Sequence, residues 1–396
     1  MSRVLLALPR FPYPSLSGGE KWAARLAEGL AKAGHEVSLF AFAVDGAQAH
    51  QTALAMALEG MVFRKVYLLP KPAAPSGGGL PVLPAMYWSE EAAEALRAAA
   101  AGTEAELVHI LFSEMAAYAP ALPPGLPAVY TEIDSSYLYP WRYYLRETAG
   151  LKGFFKFGEF FRSRAYARRC YPRFAAATAI TAADGRDIQR YLSARLAAVT
   201  PNAVDPAEFA QAEPLPRRGG EILFLGHYPH FPNEDAAARL ARRIFPLVKA
   251  EVPSATLTLA GSCPTAAVRA LAGRDIEVPG TAKDIRPALW RAGVFAAPVR
   301  YGLGAKGKIL EAFAAGLPVV ASREAAAGIE GAAAGTHLLS AGSDADFAAK
   351  AALLLRDPAL RERLAAAALA LVKERFTMSA VVSAVSGVYG KVLHGR

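Results

Sequence analysis

Ala297-Pro298-Val299-Arg300-Tyr301-Gly302-Leu303-Gly304-Ala305-Lys306-Gly307-Lys308-Ile309-Leu310-Glu311-Ala312-Phe313-Ala314-Ala315-Gly316-Leu317-Pro318-Val319-Val320-Ala321-Ser322 decides the fold. An apolar run ends at Ala297, a glycine-rich turn follows, a helical pattern runs to Gly316, and Val319 starts a second apolar run. Strand, turn, helix, glycine stop and strand make one β-α-β unit, with the turn at the carboxyl end of its first strand. Gly302 and Gly304 let the backbone approach a ligand. The helix behind them offers free N–H groups and a positive dipole end, which together hold phosphate. Arg300, Lys306 and Lys308 add charge at the same point. Glu311 lies on the helical face of Lys308, and a carboxylate about one turn into such a helix can accept hydrogen bonds from two ribose hydroxyls. The stretch predicts a nucleoside diphosphate site with ribose at Glu311 and pyrophosphate at the glycines. The alternative is an ordinary crossover whose glycines only tighten a turn. The full strand-to-strand pattern weighs against it.

Outward from this stretch the same alternation recurs. Towards the amino terminus, strands are expected at Ile222–Leu225, Thr256–Ala260, Ile276–Val278 and Val294–Ala297. A proline-rich, charged stretch, Asp205–Gly220, reads as a linker, and before it lies another series: Val4–Leu8, Val37–Phe42, Leu107–Leu111, Ala128–Thr131, Ala177–Ile180 and Ala197–Thr200. Glu20–Ala33 is helical in period and stops at Gly34, residues 70–86 have loop composition, and a last helix runs over Met378–Leu393. The expected fold is α/β, two Rossmann-like doubly wound domains facing across a cleft. At 396 residues the chain is too long for one ordinary core.

Composition narrows the class. Only Cys170 and Cys263 are present, which excludes a disulfide scaffold or a cysteine-rich zinc site and suits a reducing cytoplasm. The short apolar start, Val4–Leu8, reads as a strand rather than a signal segment. A net charge of +9 is compatible with nucleic acid, an anionic membrane or phosphorylated substrates. Much of it sits in Arg142–Phe174, where nine basic residues face two acids and ten aromatics are interleaved. That segment fits an anionic bilayer or a lipid-linked acceptor, and equally a helix with aromatic core and solvated arginines. No nucleic-acid recognition motif accompanies it, so no nucleic-acid partner is expected.

The 297–322 stretch resembles the retaining GT-B glycosyltransferases often called glycosyltransferase group 1, and most closely the members of exopolysaccharide and cell-surface glycan assembly. The likeness extends over Thr200-Pro201-Asn202-Ala203-Val204-Asp205, Phe224-Leu225-Gly226 with Pro232-Asn233, Leu259-Ala260-Gly261, and Val278-Pro279-Gly280-Thr281 with Asp284. The resemblance implies GT-B architecture. An acceptor-side domain over 1–204 would be completed by 377–396, whose helix crosses back to it, and a donor-binding domain would span 205–376. It implies transfer of a sugar, with retention, from a nucleotide-sugar donor to a glycan, lipid-linked or small-molecule acceptor. It further implies no cofactor and no metal, and work in the cytoplasm or at the inner face of the membrane. Glu311 would hold ribose, the Gly302–Gly304 amides the phosphates, and the Gly280–Lys283 loop, with Thr281, the base. Gly18 and Gly19 resemble the family's diglycine loop, which approaches the donor from the opposite domain; a helix start capped by Ser17 is the plainer reading. Two positions depart from the pattern. The family's second glutamate, eight residues before Glu311, is Leu303 here. The loop after the first donor-domain strand, His227-Tyr228-Pro229-His230-Phe231-Pro232-Asn233, lacks the usual Arg and Lys. Lys306, Lys308, Arg300 or the histidines, His227 among them, are the candidate substitutes.

For catalysis, stabilisation of the departing pyrophosphate is the largest expected contribution; Lys308 and Glu311, on the helix behind the glycines, are the candidates on this side. Asp134, after a strand, is a candidate either for orienting an acceptor hydroxyl or for capping the next helix. His109 reads as a satisfied sheet residue and His35 as a turn residue. Asp344-Ala345-Asp346 matches a two-aspartate metal motif but stands where acids cap a helix. A nucleotide-sugar epimerase of similar shape and a non-catalytic sugar-nucleotide binder are the rival functions. A Rossmann dehydrogenase is disfavoured because no Gly-x-Gly-x-x-Gly follows the first strand.

Overall fold

The computed structural model describes residues 1–15, 18–44, 46–73, 78–133, 135–138, 151–193, 196–211, 217–282, 284–300 and 305–395, with the backbone alone at 136–137, 151–157 and 305–306. Its contacts divide the chain into two compact units, Met1–Pro201 with Met378–Arg396, and Asn202–Thr377.

The first unit carries a parallel sheet of β1 (Arg3–Leu8), β2 (Glu36–Phe42), β3 (Val66–Leu69), β4 (Leu107–Leu111), β5 (Ala128–Glu132), β6 (Ala176–Ala179) and β7 (Leu196–Val199). Its spatial order is β3-β2-β1-β4-β5-β6-β7. The second unit has β8 (Arg218–His227), β9 (Thr256–Ser262), β10 (Ile276–Glu277), β11 (Ala292–Ala297), β12 (Val319–Ser322) and β13 (Leu339–Ala341). These are again parallel, in the order β10-β9-β8-β11-β12-β13. In both sheets the chain builds out to one edge and then returns to the other side. The order therefore reverses between β1 and β4, and between β8 and β11. In open α/β sheets the crevice outside the carboxyl ends of the strands at such a reversal is where ligands bind.

Parallel strands are covered on both faces, so they appear in sequence as continuous apolar runs; β4, β5 and β11 are buried at every residue. Edge strands are covered less completely and are short. All of β3 is half-buried and β13 is three residues long, and neither was anticipated. Two expected loops are more ordered than their composition suggests. Within 70–86, Val82–Ala85 makes one helical turn, and Leu80 and Pro84 are buried. Of the expected linker, Phe209 packs into the second core, the Trp290 indole N–H donates to its carbonyl at 2.7 Å, and β8 already begins at Arg218. Apolar side chains inside a polar stretch anchor it in both cases.

The last helix, Met378–His394, folds back into the first unit. Its buried face, Val381, Val382, Val385, Val388 and Tyr389, packs against the helix Gly18–Lys32. Gly29 permits the approach, since a Cβ there would stand 2.5 Å from Val382 Cγ2. Tyr389 also ties this helix to the sheet. Its hydroxyl is 2.6 Å from His109 Nδ1, His109 Nε2 is 2.7 Å from Thr131 Oγ1, and Thr131 is 2.7 Å from Thr178 Oγ1. Burial pushes His109 down to about 3, so the ring is neutral, with both nitrogens satisfied. His35 is more than a turn residue: its Nε2 lies 2.9 Å from Ser386 Oγ and its ring meets Tyr389 edge-on. By length and composition the stretch Pro358–His394 could cross a membrane. Its helix nevertheless breaks at Phe376, and each half buries an apolar face, Leu364, Ala368, Leu371 and Val372 in the second unit and the Tyr389 face in the first.

Candidate functional site

In the second unit, β8 is buried from Glu221 to Gly226 and ends at exposed His227. The chain then turns into the helix Phe231–Arg239, with Pro232 in its first turn. Tyr228 folds beneath the turn and donates its hydroxyl to the Ala260 carbonyl at 2.8 Å. On the neighbouring strand Gly261 has φ +135°, and a Cβ there would stand 1.9 Å from the Gly226 oxygen. The two strand ends can approach only because this residue is glycine. The loop after β10 is tied to the same place. Ala282 N–H donates to the Gly261 carbonyl at 3.1 Å, and Thr281 Oγ1 accepts from Cys263 N–H at 3.0 Å. Gly280 turns with φ +88°, and His227 Nδ1 lies 2.9 Å from Ser262 Oγ. His227, Gly280 and Thr281 therefore share the carboxyl edge of β8 and β9.

On the other side of the reversal, the helix Ala305–Ala314 follows β11. Lys308 extends from it across β8, with its ammonium 5.2 Å from the Phe224 ring centroid and donating to Asn233 Oδ1. Asn233, buried at the start of the helix after β8, uses its Nδ2 to donate to the His227 carbonyl at 2.7 Å. One side chain thus bridges the segments that follow β8 and β11, over the point where the strand order reverses. Burial pushes Lys308 down to about 8, and the Glu311 carboxylate opposes that shift. The ammonium is mainly charged at neutral pH. Glu311, half-buried, lies one turn further along the helix. Arg300 stands nearby as an ion pair: its Nη2 is 2.6 Å from Asp235 Oδ1 and its Nε 3.3 Å from Asp235 Oδ2. Its charge is shared with a carboxylate of the helix Phe231–Arg239.

Gly302, Leu303 and Gly304 lie outside the described residues, as does the Lys306 side chain. Asn233 was not among the expected site residues; its only signal was the Pro232-Asn233 pair just after a strand end.

At the corresponding edge of the first unit, the helix Gly18–Lys32 follows β1. A Cβ on Gly18 would meet nothing within 4 Å, whereas one on Gly19 would stand 2.8 Å from the Phe112 ring. Phe112, just past β4, has φ +70°. Asp134 lies outside the described residues. Its neighbours are committed: buried Glu132 accepts from the Tyr130 and Tyr171 hydroxyls at 3.0 and 3.1 Å. Ser135 Oγ donates to Asp184 at 2.8 Å and Asp187 at 3.0 Å. The two-aspartate motif is likewise structural. Asp344 pairs with Arg239 at 2.6 Å and Arg243 at 2.8 Å, while Asp346 accepts from Gly342 N–H at 2.9 Å. Among the described residues no three His, Cys, Asp or Glu side chains are grouped to hold a metal ion.

The basic segment divides by helical face. In Leu151–Cys170, Phe160, Ser163, Tyr166, Ala167 and Cys170 are buried, and Gly158, Phe161, Arg162, Ala165, Arg168 and Arg169 form an exposed stripe. Residues 142–150 and the side chains of 151–157 lie outside the described part. Glu159 Oε1 accepts from Val82 N–H at 2.6 Å, which sets exposed Val82 and Leu83 near this helix.

Comparison with known proteins agrees with this architecture. Residues 16–208 match Glycosyltransferase Family 4 and residues 219–357 match Glycosyl transferases group 1. No curated protein sequence matches the chain. Among solved structures, sucrose-phosphate synthase from Thermosynechococcus elongatus is similar with a TM-score of 0.68 at 16% identity, covering 100% of both chains. A glycosyltransferase from Rickettsia africae gives 0.65 at 14% identity, over 100% of this chain and 99% of that one. HepE from Anabaena, solved with UDP and glucose, gives 0.64 at 15% identity, over 98% and 100%. With a family match on each unit and the two Rossmann-like sheets beneath them, the chain belongs to the GT-B-fold glycosyltransferases, which take their sugar from nucleotide-sugar donors.

Proposed function

We propose that the second unit (205–376) holds the donor and that the first (1–204 with 377–396) receives the acceptor. The observation that carries this reading is Lys308, a partly desolvated ammonium stationed over the β8/β11 reversal by Asn233. A diphosphate laid across that point would meet this charge, the free N–H groups of the Ala305–Ala314 helix, and Glu311 further along for its ribose. The base would lie towards Gly280, Thr281 and His227. In transfer, the C–O bond between sugar and diphosphate breaks, and negative charge collects on the departing diphosphate. Lys308 stabilises that charge. On the acceptor-side unit, Gly18 leaves open space at the start of its helix, while Gly19 lets that helix pack against the Phe112 ring. Retention of configuration, with a donor phosphate oxygen taking the acceptor proton, is the stereochemistry we assign.

For the acceptor we favour a lipid-linked glycan of surface-polysaccharide assembly, met at the inner face of a membrane. The support is the stripe Phe161, Arg162, Arg168 and Arg169 beside Val82 and Leu83. It is cationic and apolar together, as an anionic bilayer requires.

The deciding experiment is thermal shift against UDP, GDP, ADP and dTDP sugars, followed by turnover with lipid-linked acceptors in EDTA. HepE was solved with UDP, so UDP-sugars come first. One nucleotide class should stabilise the protein in proportion to saturation, and Glu311→Ala should remove most of that shift. An unchanged shift would refute the ribose assignment. Epimerisation without acceptor would overturn the transferase reading.

A further inference from the structure

We propose that Asn233 is the positioning residue for the donor diphosphate, holding the Lys308 ammonium over the reversal point by fixing it to the end of β8. The inference rests on the donor reading above. In this chain the loop after β8 contains no arginine or lysine, so cationic help from that side is borrowed from the helix after β11. A lysine reaching across a sheet on its own would keep much of its rotamer freedom, and freezing that freedom opposes binding. Asn233 removes that freedom. Both halves of its amide are used and each use requires the other: Oδ1 accepts from Lys308, and Nδ2 donates to the His227 carbonyl at 2.7 Å. A flipped amide would aim its NH2 at an ammonium and its oxygen at a carbonyl, so the orientation is set. Phe224, fully buried beneath the ammonium at 5.2 Å, closes the approach from the sheet.

Among the described residues, the charged groups on the elements packed around Lys308 have other partners. On the helix Phe231–Arg239, Glu234 accepts from Thr265 Oγ1, Asp235 pairs with Arg300, and Arg239 pairs with Asp344. His227 is bonded to Ser262. On its own helix Lys308 faces Glu311, whose carboxylate favours the charged ammonium. With the free lysine titrating near about 8, affinity for a diphosphate should fall about tenfold per pH unit above that value. The phosphates do not produce this limb, because a terminal phosphate with a pKa of about 6 is already fully charged there, and the uracil N3–H, which ionises only at more alkaline pH, titrates alike in wild type and variants.

The test is calorimetric titration of the intact chain with UDP between about pH 7 and about pH 9, below the range in which the uracil ring ionises appreciably. The wild type should show the alkaline limb, and Lys308→Met should abolish it with loss of most affinity. Asn233→Ala removes an acceptor from the charged form and should move the limb to lower pH. Asn233→Asp sets a carboxylate there and should move it up by about one pH unit or more. Opposite displacements from one position are not what a merely structural residue gives, and thermal melts in parallel identify any variant that fails to fold. If Lys308→Met binds UDP as the wild type does, the donor reading itself falls. If Lys308→Met loses binding while both folded Asn233 variants keep the wild-type limb, the positioning role falls and the donor reading stands.

Discussion

Replacing His109 by glutamine should flatten the acid limb of the first unit's stability without touching the second unit. His109 is fully buried between Tyr389 and Thr131, and burial holds its pKa at about 3 against an ordinary 6.5. The sign follows from proton counts. Between those two values the unfolded chain binds a proton that the folded chain does not, so stability rises with pH. The contribution is complete above about pH 6.5 and is lost as the pH falls towards about 3. At about 1.4 kcal/mol per pH unit, this one ring withdraws about 2 kcal/mol by about pH 5, and about 4 kcal/mol by about pH 3. The measurement is urea unfolding at several pH values, read by hydrogen exchange in peptides covering β4, β5 and the Met378–His394 helix, so that the second unit does not enter. The wild type should lose about 2 kcal/mol more than His109→Gln between about pH 7 and about pH 5. Tyr389→Phe is the control. It leaves His109 Nδ1 unpaired, costing about 1–3 kcal/mol at every pH, and should preserve the slope. Equal slopes in wild type and His109→Gln would mean that His109 is not the desolvated, neutral ring described, and the reasoning would fail.

Two further outcomes follow from the same geometry. Gly261→Ala places a methyl 1.9 Å from the Gly226 oxygen at φ +135°, so the ends of β8 and β9 must part; we expect a loss of at least about 2 kcal/mol in the second unit and weakened UDP binding, and wild-type values on both counts would remove the close approach from the site. Phe161→Ser with Arg168→Glu and Arg169→Glu should abolish co-sedimentation with phosphatidylglycerol-containing vesicles while leaving UDP affinity unchanged; equal binding by wild type and variant would dissociate the stripe from the membrane.

Much of the fold was readable because parallel strands announce themselves. Val4–Leu8 and Val294–Ala297 are buried on both faces and carry unbroken apolar runs, and Leu107–Leu111 is apolar but for His109. The strands that escaped, β3 and β13, are edges, half-buried and short, where burial imposes no such pattern. The loops misjudged from composition, 70–86 and 205–220, were held by single apolar anchors, Leu80 and Phe209, that a compositional average hides. Site residues divide differently. Lys308 was legible from its distance to the glycine turn. Asn233 was not, because its significance lies in a contact 75 residues away in sequence. Arg300 was legible as a charge, but nothing local signalled that Asp235 would take it.

That last difference bears on how such a site is built. Sheet topology alone fixes where a ligand can lie, since the reversal between β8 and β11 is the gap that the crossover helices leave open. Topology does not fix which charges are available there, and pairing does. Arg300 and Arg239 are drawn off by Asp235 and Asp344 on neighbouring elements, whereas Lys308 is met by a neutral amide and an aromatic face, which locate an ammonium without cancelling it. A carboxylate at position 233 would hold Lys308 more strongly and leave less charge for a diphosphate. An aliphatic residue would leave the charge intact but unplaced. Asparagine is the side chain that does both jobs: it places the ammonium and leaves its charge unspent.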